Sequence, residues 1–241
     1  MIDYRHHSVA RANKFREAPD AFVWSYLLGF RDETNGKMAA GSAVEKALHG
    51  GLLHGLDIVA IQSEALMHFD AEMTGEVTKE RDDLPALCAQ ALDALSPFGK
   101  PLTYQAPVKL APGERFGLRY GVTGYTDFGY DGFDVDLKVT WALPSKPKFS
   151  HVCQVGTYSK LRGDKPQKLC YVTPKKFAVY DVSPEELDLG WRTTFATWKR
   201  IETMLSIIET PADACALYPL NLDSFYWSDA MKPKAMEVWN V

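Results

Sequence analysis

The sequence predicts a mixed α/β protein, of α+β or α/β class, built as a single domain. Three observations carry this expectation. Helical patterns fill residues 1–97, and β-branched and aromatic runs broken by turn signals fill 98–182. A strongly capped helix then opens residues 183–241. With 46% apolar and 24% charged residues, the 241-residue chain has the composition of a soluble globular protein.

Residues 8–31 read as helical, with Phe15, Phe22, Trp24, Leu27 and Leu28 as apolar surface; Pro19 breaks this region or opens a second helix. The next helix is expected from about Met38 to Gly50, with Gly50-Gly51 ending or loosening it. Two more run through "AIQSEALMHFDAEM" and "LPALCAQALDAL", and "TGEVTKERDD" between them is expected as an exposed loop. After Pro97, "LTYQAPVKLA", "FGLRYGVTGYTDFGY" and "FDVDLKVTWAL" read as strands. "SHVCQVGTYSKL" reads as a short helix, and "KLCYVTP" and "KFAVYDV" as two more strands. Ser183-Pro184-Glu185-Glu186 combines a capping serine, a first-turn proline and acids at the positive helix end, opening a helix expected to reach about Ile208. The Pro- and aromatic-rich tail, 210–241, is expected to wrap the body.

Composition excludes several classes. No apolar run approaches the roughly 20 residues that cross a bilayer. The N-terminal Met-Ile-Asp-Tyr-Arg-His-His lacks the apolar core of a signal peptide, so no membrane partner and a cytoplasmic location are expected. Cys88, Cys153, Cys170 and Cys215 form no CxxC pair, which favours free thiols over a zinc or disulfide framework. No Gly-rich loop of the Walker type is present. The net charge is -4, yet residues 137–176 hold nine Lys or Arg and one acid, a local balance of +8 that leaves -12 for the rest. This asymmetry reads either as one basic face on an acidic body or as a solvated lysine-rich surface.

The stretch "GYTDFGYDGFDVDLKVT" (124–140) carries the chemistry. Asp131-Gly132 signals a two-residue hairpin loop with positive φ at both positions. Pairing outward from it opposes Tyr130 to Phe133, Gly129 to Asp134, Phe128 to Val135 and Asp127 to Asp136. Strand alternation places Asp134, Asp136 and Lys138 on one face, expected toward solvent, and Val135, Leu137 and Val139 on the core face. Opposed carboxylates destabilise a hairpin unless something neutralises them. A divalent cation held by oxygen ligands would do so. A solvated hairpin with a Lys138–Asp136 salt bridge is the other reading of the same residues.

Asp127 followed nine residues later by Asp136-Leu137-Lys138 resembles the PD-(D/E)xK nuclease superfamily, in particular its RecB-like branch of phage and CRISPR-associated exonucleases. Thr126 stands where many relatives have proline. In the same order, "SVARANKFREAPDAFVWSYLLGF" resembles the branch's N-terminal helices, "GSAVEKALHGGL" its G-x-x-x-H-x-x-x-E helix, and Gln154-Val155-Gly156-Thr157-Tyr158 its Q-x-x-x-Y helix. The likeness spans about residues 8–161.

The resemblance implies a restriction-endonuclease-like α-β-β-β-α-β core and metal-dependent hydrolysis of DNA phosphodiesters, by exonuclease action in recombination, repair or phage DNA processing. It implies Mg²⁺, with Mn²⁺ as substitute, held by Glu45, Asp127, Asp136 and the Leu137 carbonyl. Lys138 would orient the attacking water or stabilise the developing charge. Gln154 and Tyr158 would position the strand or support the metal; apart from the resemblance they read as a packing tyrosine with an incidental glutamine. Lys160, Arg162, Lys165 and Lys168 would contact phosphates. Glu45 and His49 exchange the family's histidine and glutamate on one helix face, which leaves His49 a supporting group or phosphate contact. Ala18 replaces a cysteine of some relatives, and the remaining cysteines lack the spacing of an iron-sulfur cluster, so none is expected. The expected partner is DNA, single-stranded or with duplex ends, and a homo-oligomer or a recombination partner protein is compatible with it. Two other readings stand beside this one: a non-catalytic DNA-binding or assembly protein retaining the fold, supported by the Glu45/His49 exchange, and a metal-binding small-molecule hydrolase.

Overall fold

A computed structural model of the chain describes residues 4–30, 34–74, 78–224 and 226–240. It is a mixed α/β structure with one mixed sheet. A two-residue strand, β1 (His6–His7), leads into α1 (Val9–Glu17) and α2 (Pro19–Phe22), which continues as a π-helical turn over Val23–Leu27. Ser8 caps α1 by accepting from Arg11 N, and Pro19 opens α2. Then come α3 (Gly36–His54), α4 (Ile58–Glu72) and α5 (Lys79–Leu95). The strands β2 (Thr103–Leu110), β3 (Gly121–Gly129) and β4 (Asp134–Val139) precede α6 (Phe149–Leu161). The chain continues through β5 (Gln167–Val172), β6 (Phe177–Asp181), α7 (Pro184–Leu205), α8 (Pro211–Leu217) and α9 (Lys232–Trp239).

Four differences from the sequence expectation have physical causes. Gly50-Gly51 does not end α3. A Cβ on Gly51 would meet Ile61 Cδ1 at 2.3 Å, so the glycine serves the close approach of α4, and Gly55, at φ 70°, ends the helix. The segment expected as an exposed loop is helical from Lys79 onward, with Glu80 and Asp82 stabilising the positive end of α5; residues 75–77 lie outside the described residues. β1 carries no sequence signal at two residues and exists through its parallel pairing of His6 with Gly121 and His7 with Val122. At the hairpin only Gly132 has positive φ (79°), so one left-handed residue suffices to reverse the chain.

The sheet has helices on both faces. Phe128, Val135, Leu137, Cys170 and Val172 pack with the apolar faces of α3, α4 and α5. On the other face Leu169 and Tyr171 pack with Val152 and Val155 of α6 and Leu187 of α7. β4 pairs β5 in parallel, Asp136 opposite Leu169 and Lys138 opposite Tyr171, so both charged residues lie on the face that α6 covers. The expectation of a solvent face is corrected accordingly. Asp134 is fully buried and Asp136 is 2% exposed.

The tail packs as expected, Trp227 and Ala235 burying against Ala18, Ala21 and Trp24. Ser183 caps α7 as expected, and the Glu186 side chain completes a reciprocal cap by accepting from the Ser183 N–H. No described helix is long and apolar enough to cross a membrane.

Candidate active site

β3 is paired with β2 along most of one edge and is interrupted on the other. Val122 pairs with both Leu110 and His7, and Phe128 pairs with both Tyr104 and Val135. β1 and β4 therefore share the edge opposite β2, one at each end. Between them, residues 123–127 have no ladder partner on that edge among the described residues. The chain leaves the sheet at Ser8 to begin α1, which opens this gap. The hairpin ladder itself keeps the register read from the sequence through Phe128–Val135, and Tyr130 N donates to Phe133 O at 2.8 Å.

The next expected pair, Asp127–Asp136, does not form as a ladder pair. The Asp127 carboxylate instead accepts the Leu137 N–H at 2.7 Å, so a side chain satisfies the amide that the diverging backbone leaves behind. Burial raises the Asp127 pKa well above the usual carboxylate range, and the Asp136 and Glu45 charges raise it further against the opposing effect of Lys138. Burial also raises Asp136, opposed by Lys138. The Lys138 ammonium lies 2.7 Å from Asp136 Oδ2. Apart from that contact both Asp136 oxygens are buried without a hydrogen-bond partner among the described residues. Burial alone would lower the Lys138 pKa; Asp136 and Asp127 outweigh it, so the ammonium keeps its charge. The salt bridge of the solvated-hairpin reading is thus present, but in a nearly closed site.

Tyr158 of α6 lies over the gap in β3. A Cβ on Gly124 would come within 2.7 Å of Tyr158 Cε1, so glycine is what lets the ring rest on the strand. Gln154 Nε2 donates to the Tyr158 hydroxyl at 3.4 Å, and burial with the nearby Asp136 charge pushes that phenol up to about 12. The family-like pair is therefore brought to the carboxylates. His151, one turn before it, is a residue the sequence reading missed. Its Nδ1 sits 2.8 Å from the Tyr171 hydroxyl, and burial with Lys138 and Lys148 nearby pushes its pKa down to about 3. A histidine three residues before Gln154 on one helix face was the available signal.

Glu45 reaches the site by a different route. Its Oε1 accepts from Gln105 Nε2 at 3.0 Å, and its charge is close enough to raise both Asp127 and Tyr104. The β2–β3 ladder skips Gln105 and Asp127, between the Tyr104–Phe128 and Ala106–Thr126 pairs, and Gln105 takes a left-handed φ of 45°. No sequence signal marks a left-handed glutamine within a strand. His49 turns away into packing, its ring stacked on Tyr104 at 4.0 Å, and burial lowers its pKa.

The basic run pairs with carboxylates other than Asp127 and Asp136. Arg162 and Lys165 pair with the buried Asp134 at 3.0 and 2.7 Å, Lys160 pairs with Asp164 at 2.9 Å, and Lys168 pairs with Asp181. Asp134 lies four residues before Lys138, about 13 Å away along β4. The four side chains expected to contact phosphates are thus each engaged with a carboxylate, buried in the case of Asp134 and exposed in the case of Asp164 and Asp181.

Oxygen donors dominate the centre, as a hard cation such as Mg²⁺ requires. Among the described residues no three His, Cys, Asp or Glu side chains stand together in a metal-holding arrangement. Two carboxylates meet the usual protein share of a Mg²⁺ site, the remaining positions being water. The orphaned Asp136 oxygens and the raised carboxylate pKa values fit a cation at this point.

No family model matches the chain, and no curated protein matches it. A solved structure described as "Crystal structure of SSO0001" is similar at 13% identity, covering 86% of this chain and 92% of that one, with a TM-score of 0.36. A likeness at that score decides nothing about fold or function.

Proposed function

We propose that this chain is a Mg²⁺-dependent deoxyribonuclease of the PD-(D/E)xK type, acting as a DNA exonuclease. One observation carries the reading. Asp127 and Asp136 are held as buried like charges where β3 and β4 diverge, with the Lys138 ammonium 2.7 Å from the second. Such an arrangement costs stability, and strongly perturbed carboxylates with a specific charge partner are candidates for a functional site. The succession α3, β2–β3–β4, α6 and β5 parallel to β4 supports the implied core.

Asp127 and Asp136 would hold the ion, and Glu45 could join them once its hydrogen bond to Gln105 opens. Mg²⁺, when bound, polarises a phosphate and lowers the pKa of water. Lys138 then no longer has to neutralise two carboxylates, and its charge is available to the reacting phosphate. Tyr158 and Gln154 would hold the strand over the gap in β3. His151, with its pKa near 3, stays neutral at physiological pH and can hydrogen-bond but not carry charge.

The Gln105 hydrogen bond to Glu45 is the observation that favours the second reading, a non-catalytic DNA-binding or assembly protein. Labelled single- and double-stranded DNA incubated with Mg²⁺, Mn²⁺ or EDTA and resolved on a gel separates the two. Metal-dependent shortening supports the nuclease; retention of intact DNA in all three supports the binding protein.

A further inference from the structure

The gap in the β3 edge opens into a cavity of about 1160 Å³ whose lining includes Thr123, Gly124 and Tyr125 from that edge and His151, Gln154 and Tyr158 from α6. Its remaining walls come from the starts of α1 and α3 and from the tail around Tyr226. Three lysines line it against one acid, Glu17. Lys37 and Lys148 are exposed and make no ion pair with a carboxylate among the described residues, and Tyr125 is 49% exposed. α1, α3 and α6 all begin at this cavity, so their positive dipole ends add to the lysine charge. The basic residues singled out in the sequence are elsewhere, paired to acids.

Size decides which form of DNA this space can take. A sphere of 1160 Å³ is about 13 Å across, while the major groove of a duplex alone is about 12 Å wide and the minor groove adds about 6 Å. A space of that width is narrower than a duplex and wide enough for one strand. A cationic groove with exposed aromatic faces is also how proteins hold unpaired strands, the cations tracking phosphates and the rings stacking on bases. We infer that this cavity receives a single unpaired DNA strand, with Lys37 and Lys148 on its phosphates and Tyr125 against a base, and delivers it to Gln154 and Tyr158. The inference rests on the nuclease reading for its choice of DNA and names the form of substrate that site accepts.

The test is equilibrium binding in EDTA, where no cleavage occurs, by fluorescence anisotropy of labelled oligonucleotides. A 20-nucleotide oligo-dT should bind at least tenfold more tightly than a blunt duplex of equal length. The double variant Lys37→Ala/Lys148→Ala should weaken that binding and reduce the slope of log K against log salt by about 1.4, two phosphate contacts at about 0.7 each. Tyr125→Ala should weaken it about tenfold, as loss of a stacked base does. Lys160→Glu, at the far end of α6, should leave it within twofold. Lys37, Lys148 and Tyr125 are exposed and Lys160 is half-buried, and thermal melts of the variants check the fold. Equal binding of duplex and single strand, tighter binding of oligo-rU than oligo-dT, an unchanged salt slope, or an equal loss in Lys160→Glu would each overturn the inference. Absence of Mg²⁺-dependent cleavage alongside the expected strand binding would instead fail the nuclease reading alone.

Discussion

Replacing Asp136 with asparagine should stabilise the metal-free protein while removing its response to Mg²⁺. Asp136 is 2% exposed, and among the described residues its oxygens have the Lys138 ammonium as their one polar contact. A buried group left unsatisfied costs about 1–3 kcal/mol, and a charged one more. Asparagine keeps the shape, removes the charge and can donate its amide toward Asp127. Lys138 keeps Asp127 as counter-charge, so the site changes from two carboxylates against one ammonium to one against one. The expected gain is about 1–3 kcal/mol, or about 2–12 °C in Tm for a chain of this size. Wild type, in turn, should gain about 2.7 kcal/mol from Mg²⁺ at a hundred times its Kd, and the variant nothing. Thermal melts of both proteins in EDTA and in Mg²⁺ measure this. The sign with pH follows from the raised carboxylates. Their contribution is complete below about pH 4, where the unfolded side chains are protonated, and is lost as pH rises through their higher folded values. The advantage of Asp136→Asn should therefore widen from pH 4 upward. A variant less stable than wild type in EDTA, or one that gains as much from Mg²⁺, would refute the reasoning.

Lys165→Met should destabilise the fold by about 1–3 kcal/mol because it strips one of two cations from the buried Asp134, and urea titration reads it; an unchanged midpoint would show Asp134 needs only Arg162. Glu45→Gln should weaken Mg²⁺ binding and DNA cleavage severely, with partial rescue at higher metal concentration, whereas His49→Ala should be milder since His49 stacks on Tyr104; the reverse order of effects counts against the assignment. Gln105→Gly should leave stability unchanged or raise it by about 1 kcal/mol, by relieving a left-handed residue, and should tighten Mg²⁺ binding by freeing Glu45. His7, buried against Glu202, should titrate near pH 4 by NMR. Its lowered pKa contributes stability that is present above about pH 6.5 and lost as pH falls toward 4, by about 3 kcal/mol. A His7 resonance titrating above pH 6 would contradict this.

The local features were legible wherever a short pattern dictates the backbone. Asp131-Gly132 set the hairpin and its first pairs, Ser183 and Glu186 set the start of α7, and alternation separated Val135 and Leu137 from Asp136 and Lys138. Alternation could not say which face meets solvent, because α6 arrives from fifteen residues downstream to cover the polar one. The pairing of the run 160–168 was only partly legible: Asp164 stands within it, but Asp134 and Asp181 come beside Arg162, Lys165 and Lys168 only through the fold. The break in the β3 edge was equally hidden: β1 is two residues long, and its pairing depends on contacts more than a hundred residues apart. Lys37, Lys148 and Tyr125 are distant in the chain and meet only through that break.

The most direct test of the central claim is a Mn²⁺ titration followed by electron paramagnetic resonance, since Mn²⁺ can stand in for Mg²⁺. Wild type should bind Mn²⁺ at the Asp127–Asp136 site, Mg²⁺ should compete for it, and folded Asp136→Asn should lose that binding. Equal Mn²⁺ binding by wild type and Asp136→Asn would contradict the claim that these carboxylates form a metal site.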